Sequence, residues 1–335
     1  MHHRWTPCII LGLTATAVLS ATAADLPTKR GLAYVQDEST NPDDSRVLLS
    51  DESLISWYYT WSRNMARAVG DSVPFVPLIH NLDDTDDRQL VSTLERTPDS
   101  STHLLSFNEP DGETETGGSA ISPRDAAEAY IRHIAPLRTE SRDRKRTWKI
   151  SHPCVTGSPR GLVWLRDFNE SCWDIDKDNG CPTDFVAVHW YGDQHGLRGW
   201  LGDVRDLYSD GRDMAGGGVD GKDLKYWVTE MAMPKADDDA TFAMMNESLA
   251  YLDAQDWVEA YAWFGAFRSN NANAWTGNKV SLFDSSGGLT DIGALYLGGE
   301  ERGFKKGMGG GAAALAVPGL LVLTMALFGT GVVML

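Results

Sequence analysis

The sequence predicts a single-domain α/β protein with the fold of a (β/α)8 TIM barrel, and three observations support this prediction. Apolar segments of strand length recur along the chain, and helical patterns alternate with them. About 280 residues lie between the apolar segments at the two ends of the chain, an ordinary size for such a barrel. No glycine-rich phosphate-binding loop follows any of the apolar segments, which argues against the runner-up, a doubly wound sheet.

Eight strands and the helices between them are predicted from local patterns. The strands are apolar runs rich in β-branched and aromatic residues. They comprise residues 31–35, 54–61, 73–81, 102–110, 147–153, 183–192, 224–234 and 257–267. Helices with apolar residues at helical spacing are predicted at 122–137, 161–172, 198–208, 240–255 and 289–298. The first of these helices begins with Ser122 as its capping residue and Pro123 at its first helical position.

The first 23 residues are interpreted as a secretory signal peptide. A charged start is followed by an apolar run from Cys8 to Leu19 and by the small-residue sequence Ala21-Thr22-Ala23. The apolar run is too short to cross a bilayer, which takes about 20 helical residues. Export would give access to N-glycosylation, which is predicted at the sequons of Asn169 and Asn246.

The C-terminal segment, residues 304–335, is interpreted as a spacer followed by a GPI-attachment signal. Its last part, from Ala312 to Leu335, is apolar and carries no charge. A membrane-spanning helix is the alternative, but Lys305 and Lys306 would then lie on the exported side, against the positive-inside tendency. The expected product is one domain over residues 24–303, secreted and held at the cell surface or cell wall by a lipid anchor in the plasma membrane.

The charge of the chain excludes some classes of partner. The formal net charge is −17 and the isoelectric point is about 4.8. An acidic protein repels phosphate backbones and anionic headgroups, so nucleic acid is excluded and the lipid anchor is the only expected connection to a membrane. Twelve tryptophans are many for this length. Core packing explains some of them, but sugar-binding proteins also need flat apolar faces.

The cysteines predict one disulfide. Of the four, Cys8 leaves with the signal peptide. Cys172 and Cys181 bracket a short polar segment before a strand and are predicted to pair in an oxidising compartment. Cys154 is then predicted to be a buried thiol rather than a nucleophile. No other cysteine or histidine spacing resembles a metal site, so neither a metal nor a cofactor is expected.

Two carboxylates at strand ends are the candidate catalytic pair. Glu109 ends the fourth predicted strand and Glu230 the seventh, each without a basic neighbour in the sequence. Functional residues of such barrels lie at the C-terminal ends of the strands, and burial of an unpaired carboxylate there is unfavourable. Two carboxyl groups about 5–5.5 Å apart suit double displacement at an acetal. Either glutamate alone could instead be a solvated loop acid. Pro110 is expected to hold Glu109 extended into the barrel mouth.

The neighbours of this pair supply polar and aromatic groups. Asn108 is a candidate to bind a sugar hydroxyl, and Trp263 offers a stacking face. His189 and Tyr191 share one face of their strand, because side chains alternate. Tyr191 is a candidate donor to the nucleophile carboxylate, and His189 to the substrate or to that same carboxylate. His189 could instead be a hydrogen-bonded histidine of the barrel core. Trp190 and Phe264, also at strand ends, are interpreted as packing residues between strand and helix.

Seven strand-end motifs occur in one order: "KRGLAYV", "SWYYTW", "FVPLIHN", "LLSFNEPD", "FVAVHWYG", "YWVTEMA" and "YAWFGAF". Together they resemble glycoside hydrolase family 128, the clan A barrels that cleave β-1,3-glucan. The resemblance implies that Glu109 is the acid/base and Glu230 the nucleophile. It also implies that four aromatic or imidazole side chains line the glucan subsites: Trp61, His189, Tyr191 and Trp263.

The predicted function is that of a secreted, monomeric, retaining endo-β-1,3-glucanase that binds β-1,3-glucan and needs no cofactor. The β-1,3 linkage is implied by the resemblance alone, because the side chains do not distinguish it from β-1,4-glucan or mannan. Two alternatives stay open. A transglycosylase that remodels wall glucan would use the same two carboxylates, and a non-catalytic glucan-binding surface protein could keep them. The loops at 112–118 and 209–223 are enlarged relative to the family pattern, which leaves the number of subsites and the cleavage pattern open.

Overall fold

The structure is a computed structural model that describes residues 26–35, 41–85, 87–142, 144, 146–210 and 213–309. The predicted signal peptide and the apolar C-terminal tail lie outside these residues. Within them, no helix is both long enough and apolar enough to cross a membrane.

Seven short parallel strands of the described residues surround one axis. They are β1 (Arg30–Ala33), β2 (Trp57–Tyr59), β3 (His103–Leu104), β4 (Lys149–Ile150), β5 (Phe185–Tyr191), β6 (Lys225–Ala232) and β7 (Val258–Trp263). Five of them form a sheet in the order β2-β1-β7-β6-β5, and β3 pairs with β4. Because β1 pairs with both β2 and β7, the first and last strands of the chain are neighbours, as barrel closure requires.

Single parallel bridges join the two sheets. Tyr58 pairs with Phe75 and Leu78 with Leu105, so the segment 75–78 occupies the third barrel position; Ser151 pairs with Phe185 on the other side. The predicted strand 73–81 is reduced to these contacts because Pro74 and Pro77 have no N–H to donate. Their carbonyl oxygens accept instead, from Tyr58 N and Leu105 N. The predicted single-domain (β/α)8 barrel is confirmed.

Helices surround the strands. They are α1 (Pro42–Leu48), α2 (Asp87–Leu94), α3 (Pro123–Ala129), α4 (Pro159–Ile175), α5 (Gln194–Ser209), α6 (Asp238–Asp253) and α7 (Asp291–Leu297). In six of them a side-chain oxygen accepts from a backbone N–H of the first turn: Asn41, Ser122, Ser158, Asp193, Asp237 and Thr290. Sequence patterns did not predict α1 and α2, which have seven and eight residues.

Side chains that alternate along the strands divide the core into two layers. Trp57 and Tyr59 point into the barrel, whereas Tyr58 lies in the layer between strands and helices. Among the residues that the structure describes, aromatic side chains fill the barrel interior near the N-terminal ends of the strands. The ring centroids of Trp57 and Trp227 are only 4.8 Å apart. A Cβ at Gly31 would lie 2.1 Å from the Trp57 ring, so this position on β1 requires glycine.

The packed fold continues past the predicted boundary at residue 303. Phe304 is buried, Gly307 N donates to Leu289 O, and Leu289 N donates to Met308 O. The first residues of the predicted spacer are therefore part of the domain.

One of the two predicted glycosylation sites does not suit a glycan. Asn169 lies inside helix α4 with only 8% of its surface exposed, so a glycan there would have to displace its neighbours. Asn246 is exposed on helix α6 and stays a prediction.

The predicted disulfide is present. Cys172 and Cys181 are bonded, with their Cα atoms 5.3 Å apart, and the bond fastens the end of α4 to the segment before β5. Cys154 is a buried free thiol, as predicted.

Removing this disulfide by the paired change Cys172→Ala and Cys181→Ala is expected to lower the free energy of unfolding by about 2–3 kcal/mol, because the unfolded chain regains the freedom of a short loop. Chemical denaturation of the oxidised wild type and the variant measures this difference. The wild type under reducing conditions is the control. Equal stabilities, or free thiols at both positions in peptide maps made without reduction, would contradict the prediction.

Candidate active site

Three polar side chains meet at the upper end of the barrel. Glu109 follows β3, His189 lies on β5 and Glu230 lies on β6. One ligand atom from each of the three lies within 4.8 Å of the others. The convergence of Glu109 and Glu230 that the strand ends predicted is therefore present, and His189 lies between them.

A β-bulge turns Glu230 toward this site. Val188 pairs with Val228 and His189 pairs with Glu230, so β6 has one additional residue, Thr229, between these pairs. Thr229 faces the barrel interior, where its Oγ1 is 3.7 Å from Cys154 Sγ. In a regular strand the next residue would point outward. The bulge instead places two consecutive side chains inside, a common device beside functional sites.

Glu109 has a left-handed backbone, with φ 40°. The expectation that Pro110 holds it extended is therefore wrong. Its N–H donates to Cys154 O at 2.7 Å, and its carbonyl accepts from Gly112 N and Ser119 N, so surrounding bonds impose the conformation. A non-glycine residue with positive φ stores strain of order 1–3 kcal/mol, typically at functional sites.

Asp111 fastens the Glu109 loop to the next strand. Its side chain is only 1% exposed and accepts from Thr156 N at 2.9 Å and from the Thr156 hydroxyl. Arg160 lies 3.6 Å away. Sequence reasoning missed this role, although the signal was available: Asp111 closes the "NEPD" motif without a basic neighbour.

Four donors surround the Glu230 carboxylate. Oε1 accepts from Trp61 Nε1 at 2.6 Å and from the Tyr59 hydroxyl at 3.4 Å. His189 Nε2 is also 3.4 Å from Oε1, and the Tyr191 hydroxyl donates to Oε2. Tyr191 is thus placed to donate to Glu230, as predicted, and Trp61 is a second donor. Tyr59 was missed by sequence reasoning.

Burial and neighbouring groups shift the pKa values of this cluster. The pKa of Glu230 is raised above its ordinary value: burial raises it most, Glu109 adds to the rise, and His189 and the Tyr191 and Trp61 donors oppose it only in part. Burial alone would lower the pKa of His189. Its contacts with Cys154, Glu230 and Glu109 instead raise it well above its ordinary value. His189 Nδ1 lies 2.9 Å from Glu109 Oε1, so a protonated imidazolium bridges two carboxylates.

The same three residues are the one group of potential metal ligands among the residues that the structure describes. They fit a metal poorly. Both ring nitrogens of His189 lie against carboxylate oxygens, and a protonated imidazole has no lone pair for a metal.

Trp263 does not lie at the mouth. It is fully buried in the strand–helix layer, and its indole N–H donates to Val280 O at 2.8 Å. The next residue, Phe264, contacts Trp61 and Tyr191, each at 5.8 Å between ring centroids. The predicted stacking face of Trp263 is therefore not available, because a shift of one residue along a strand changes the face. Phe264 packs against the core, as predicted.

The amide of Asn108 serves the loop above it. Asn108 is 3% exposed, its side-chain Nδ2 donates to Gly117 O at 3.0 Å, and its backbone carbonyl accepts from the Ser119 hydroxyl. Its Oδ1 is buried with no protein partner. The side-chain amide of Asn108 is therefore not exposed to bind a sugar hydroxyl in the way that the sequence predicted. Trp190 packs as predicted, against Gly196 at the start of α5.

The raised pKa of His189 gives stability a predicted pH dependence. A group with a raised folded pKa contributes stability that is complete below its unfolded value, about 6.5 for histidine, and is lost as pH rises through the folded pKa. The stability difference between wild type and His189→Gln should therefore shrink above about pH 6.5. Denaturant titrations across this range measure the difference, with exposed His195→Gln as the control. A difference that is constant or grows with pH would contradict the prediction.

Comparison with known proteins identifies the family of this barrel. The model of the family described as "Glycosyl hydrolase catalytic core" matches residues 31–296. The chain belongs to this glycosyl hydrolase family. The match runs from β1 through most of α7, so it includes every residue of the site.

Solved structures agree with this membership. An exo-β-1,3-glucanase of glycoside hydrolase family 128 from Blastomyces gilchristii, described as curdlan-specific, is 25% identical, with TM-score 0.59 and coverage of 81% of this chain and 97% of that chain. A family 128 endo-β-1,3-glucanase from Pseudomonas viridiflava is also 25% identical, with TM-score 0.60 and the same coverages. The resemblance to family 128 is thereby confirmed.

The curated relative is longer than this chain. Alkali-sensitive linkage protein 1 of Schizosaccharomyces pombe is 28% identical over 276 residues, which cover 80% of this chain and 44% of that protein. The chain therefore spans less than half the length of this relative.

Proposed function

We propose that this glycosyl hydrolase is a retaining endo-β-1,3-glucanase in which Glu230 is the nucleophile and Glu109 the acid/base. The observation that carries the proposal is the spacing of the pair, in which one oxygen of Glu109 and one of Glu230 lie within 4.8 Å of each other beside His189. Retaining glycosidases place their carboxyl groups about 5–5.5 Å apart, whereas inverting enzymes leave about 6.5–9.5 Å for a water molecule.

The bonds around each carboxylate suit its proposed role. Trp61 and Tyr191 hold the two oxygens of Glu230, so an ionised carboxylate is fixed in one orientation. Glu109 is partly exposed, and His189 contacts only its Oε1. Its Oε2 can therefore carry the proton of a general acid.

The reaction then proceeds in two balanced steps. An oxygen of Glu230 bonds to the anomeric carbon while the glycosidic bond breaks, and Glu109 gives its proton to the leaving oxygen. Glu109 next takes a proton from water, whose oxygen bonds to the anomeric carbon and releases Glu230. His189 lies against both carboxylates, through Nδ1 to Glu109 and Nε2 to Glu230, so its positive charge stays beside the negative charge as that charge passes from Glu230 to Glu109.

The substrate class is supported by the two structures at 25% identity, both described as β-1,3-glucanases. One is described as exo-acting and the other as endo-acting. These two structures therefore support the substrate class, and the endo mode of cleavage is part of our proposal. The N-terminal and C-terminal signals of the sequence support secretion and a lipid anchor at the cell surface. The disulfide fits export to an oxidising compartment. A monomer is proposed as the working unit.

Product analysis tests this function. The purified domain is incubated with laminarin, other β-glucans and mannan, and with Glu230→Gln protein as the control. A ladder of β-1,3-oligosaccharides is expected from laminarin. Glucose as the sole product would indicate exo action, and products longer than an oligosaccharide substrate would indicate transglycosylation. Binding of laminarin without any product would favour the non-catalytic alternative and overturn the proposal.

A further inference from the structure

One exposed tryptophan lies beside the site. Among the described residues, four large apolar side chains are exposed: Leu82, Val163, Phe242 and Trp275. Trp275 has the largest ring system of these and is 53% exposed. An indole left in water forgoes the favourable burial of a large apolar surface. This exposure indicates that the indole contacts a ligand when one is bound.

Trp275 contacts the carboxylate cluster through a single residue. Its ring centroid lies 4.5 Å from that of Tyr191, with an angle of 72° between the ring planes. The hydroxyl of Tyr191 donates to Glu230. Because the two rings meet edge to face, at least part of the indole surface remains available to a ligand that extends beyond the carboxylates.

A built turn presents this indole. Asn273 Oδ1 accepts from Trp275 N at 3.0 Å, Thr276 N at 2.8 Å and Thr276 Oγ1 at 3.0 Å. Thr276 is completely buried, and its carbonyl accepts from Lys235 N at 2.8 Å. The turn is thus tied to the segment that follows β6. A ring held in place before binding loses little conformational freedom when a ligand arrives.

We propose that Trp275 is a stacking platform for a glucosyl ring next to the ring that Glu230 attacks, and that it sets the preference for chain length. The inference rests on the proposed function of the site. A pyranose ring has an apolar C–H face that suits an aromatic plane. Since Tyr191 separates Trp275 from Glu230, the platform serves a neighbouring sugar and not the reacting one.

Hydrolysis of laminari-oligosaccharides of increasing length tests the platform. Trp275→Ala should lower kcat/KM about tenfold on long oligosaccharides, an effect typical of one aromatic contact. The shortest cleaved substrate should be almost unaffected. Trp275→Phe should retain part of the activity, and Phe242→Ala, the other exposed aromatic, should match wild type. Wild-type rates for Trp275→Ala at every length, or an equal loss at every length, would overturn the proposal.

Binding separates this inference from the proposed function. In the Glu230→Gln background, Trp275→Ala should raise the Kd for laminarihexaose about tenfold by calorimetry. An unchanged Kd would overturn the platform even if the wild type is an active glucanase. If the wild type binds glucan but produces no cleavage, a raised Kd would uphold the platform while the proposed catalysis fails. Absence of binding to any β-1,3-oligosaccharide would overturn both.

Discussion

Glu230→Gln is expected to lower kcat by several orders of magnitude with little change in glucan affinity. The amide has no negative charge with which to attack the anomeric carbon, and that interaction forms mainly in the transition state. The pocket can accept the replacement. The amide oxygen can face Trp61 and His189, while the amide N–H can donate to the Tyr191 hydroxyl, which accepts as well as donates.

Steady-state kinetics on laminarin and calorimetric Kd values check this expectation. Glu247→Gln, at an exposed position on helix α6, is the control for loss of one carboxylate. A thermal melt verifies that both variants are folded. Activity of Glu230→Gln within tenfold of wild type would remove Glu230 from the role of nucleophile.

Glu109→Ala is expected to lose activity on natural glucan and to recover turnover in azide. A sugar leaving group needs a proton, whereas an aryl glycoside with a good leaving group does not. With such a substrate the variant should still form the glycosyl-enzyme on Glu230. Removal of the carboxylate opens space beside His189 Nδ1, which lies 2.9 Å from Glu109, and a protonated His189 would attract an anion into that space.

The configuration of the azide product distinguishes the two carboxylates. Azide that attacks the glycosyl-enzyme of Glu109→Ala should give the β-glycosyl azide, because two inversions retain configuration. Glu230→Ala is the matched control, since azide in place of its nucleophile should give the α-product. An α-azide from Glu109→Ala would contradict double displacement. No rescue at all, with Glu230 still essential, would make Glu109 a structural residue.

The strained loop of Glu109 illustrates how local sequence and tertiary contacts differ. The proline rule predicted an extended Glu109, but hydrogen bonds to Cys154 and Ser119 impose a positive φ. Asp111 in the same loop accepts from Thr156 N, which lies in the segment after β4. Cys154 lies in the segment after β4 and Ser119 farther along the same loop, so a rule that considers only adjacent residues could not include these contacts.

The sequence by itself determined the barrel, its single disulfide and the strand ends at which the functional groups gather. These features depend on local periodicity and on the parallel arrangement that brings all C-terminal strand ends to one face. The pairing of His189 with Tyr191 on one face also followed from strict alternation. Glu109 and Glu230 were found for the same reason, since each ends an apolar run.

Only the tertiary structure decided which neighbouring residue enters the site. The bulge at Thr229 adds a residue to β6 and turns Glu230 inward. At the end of β7, Trp263 is buried between strands and helices, and Phe264 contacts the Trp61 and Tyr191 rings. Trp275 reaches Tyr191 only because its turn is bonded to Lys235. Strand register and loop anchoring arise from hydrogen bonds between distant segments, and a one-residue change in register exchanges the two faces of a strand.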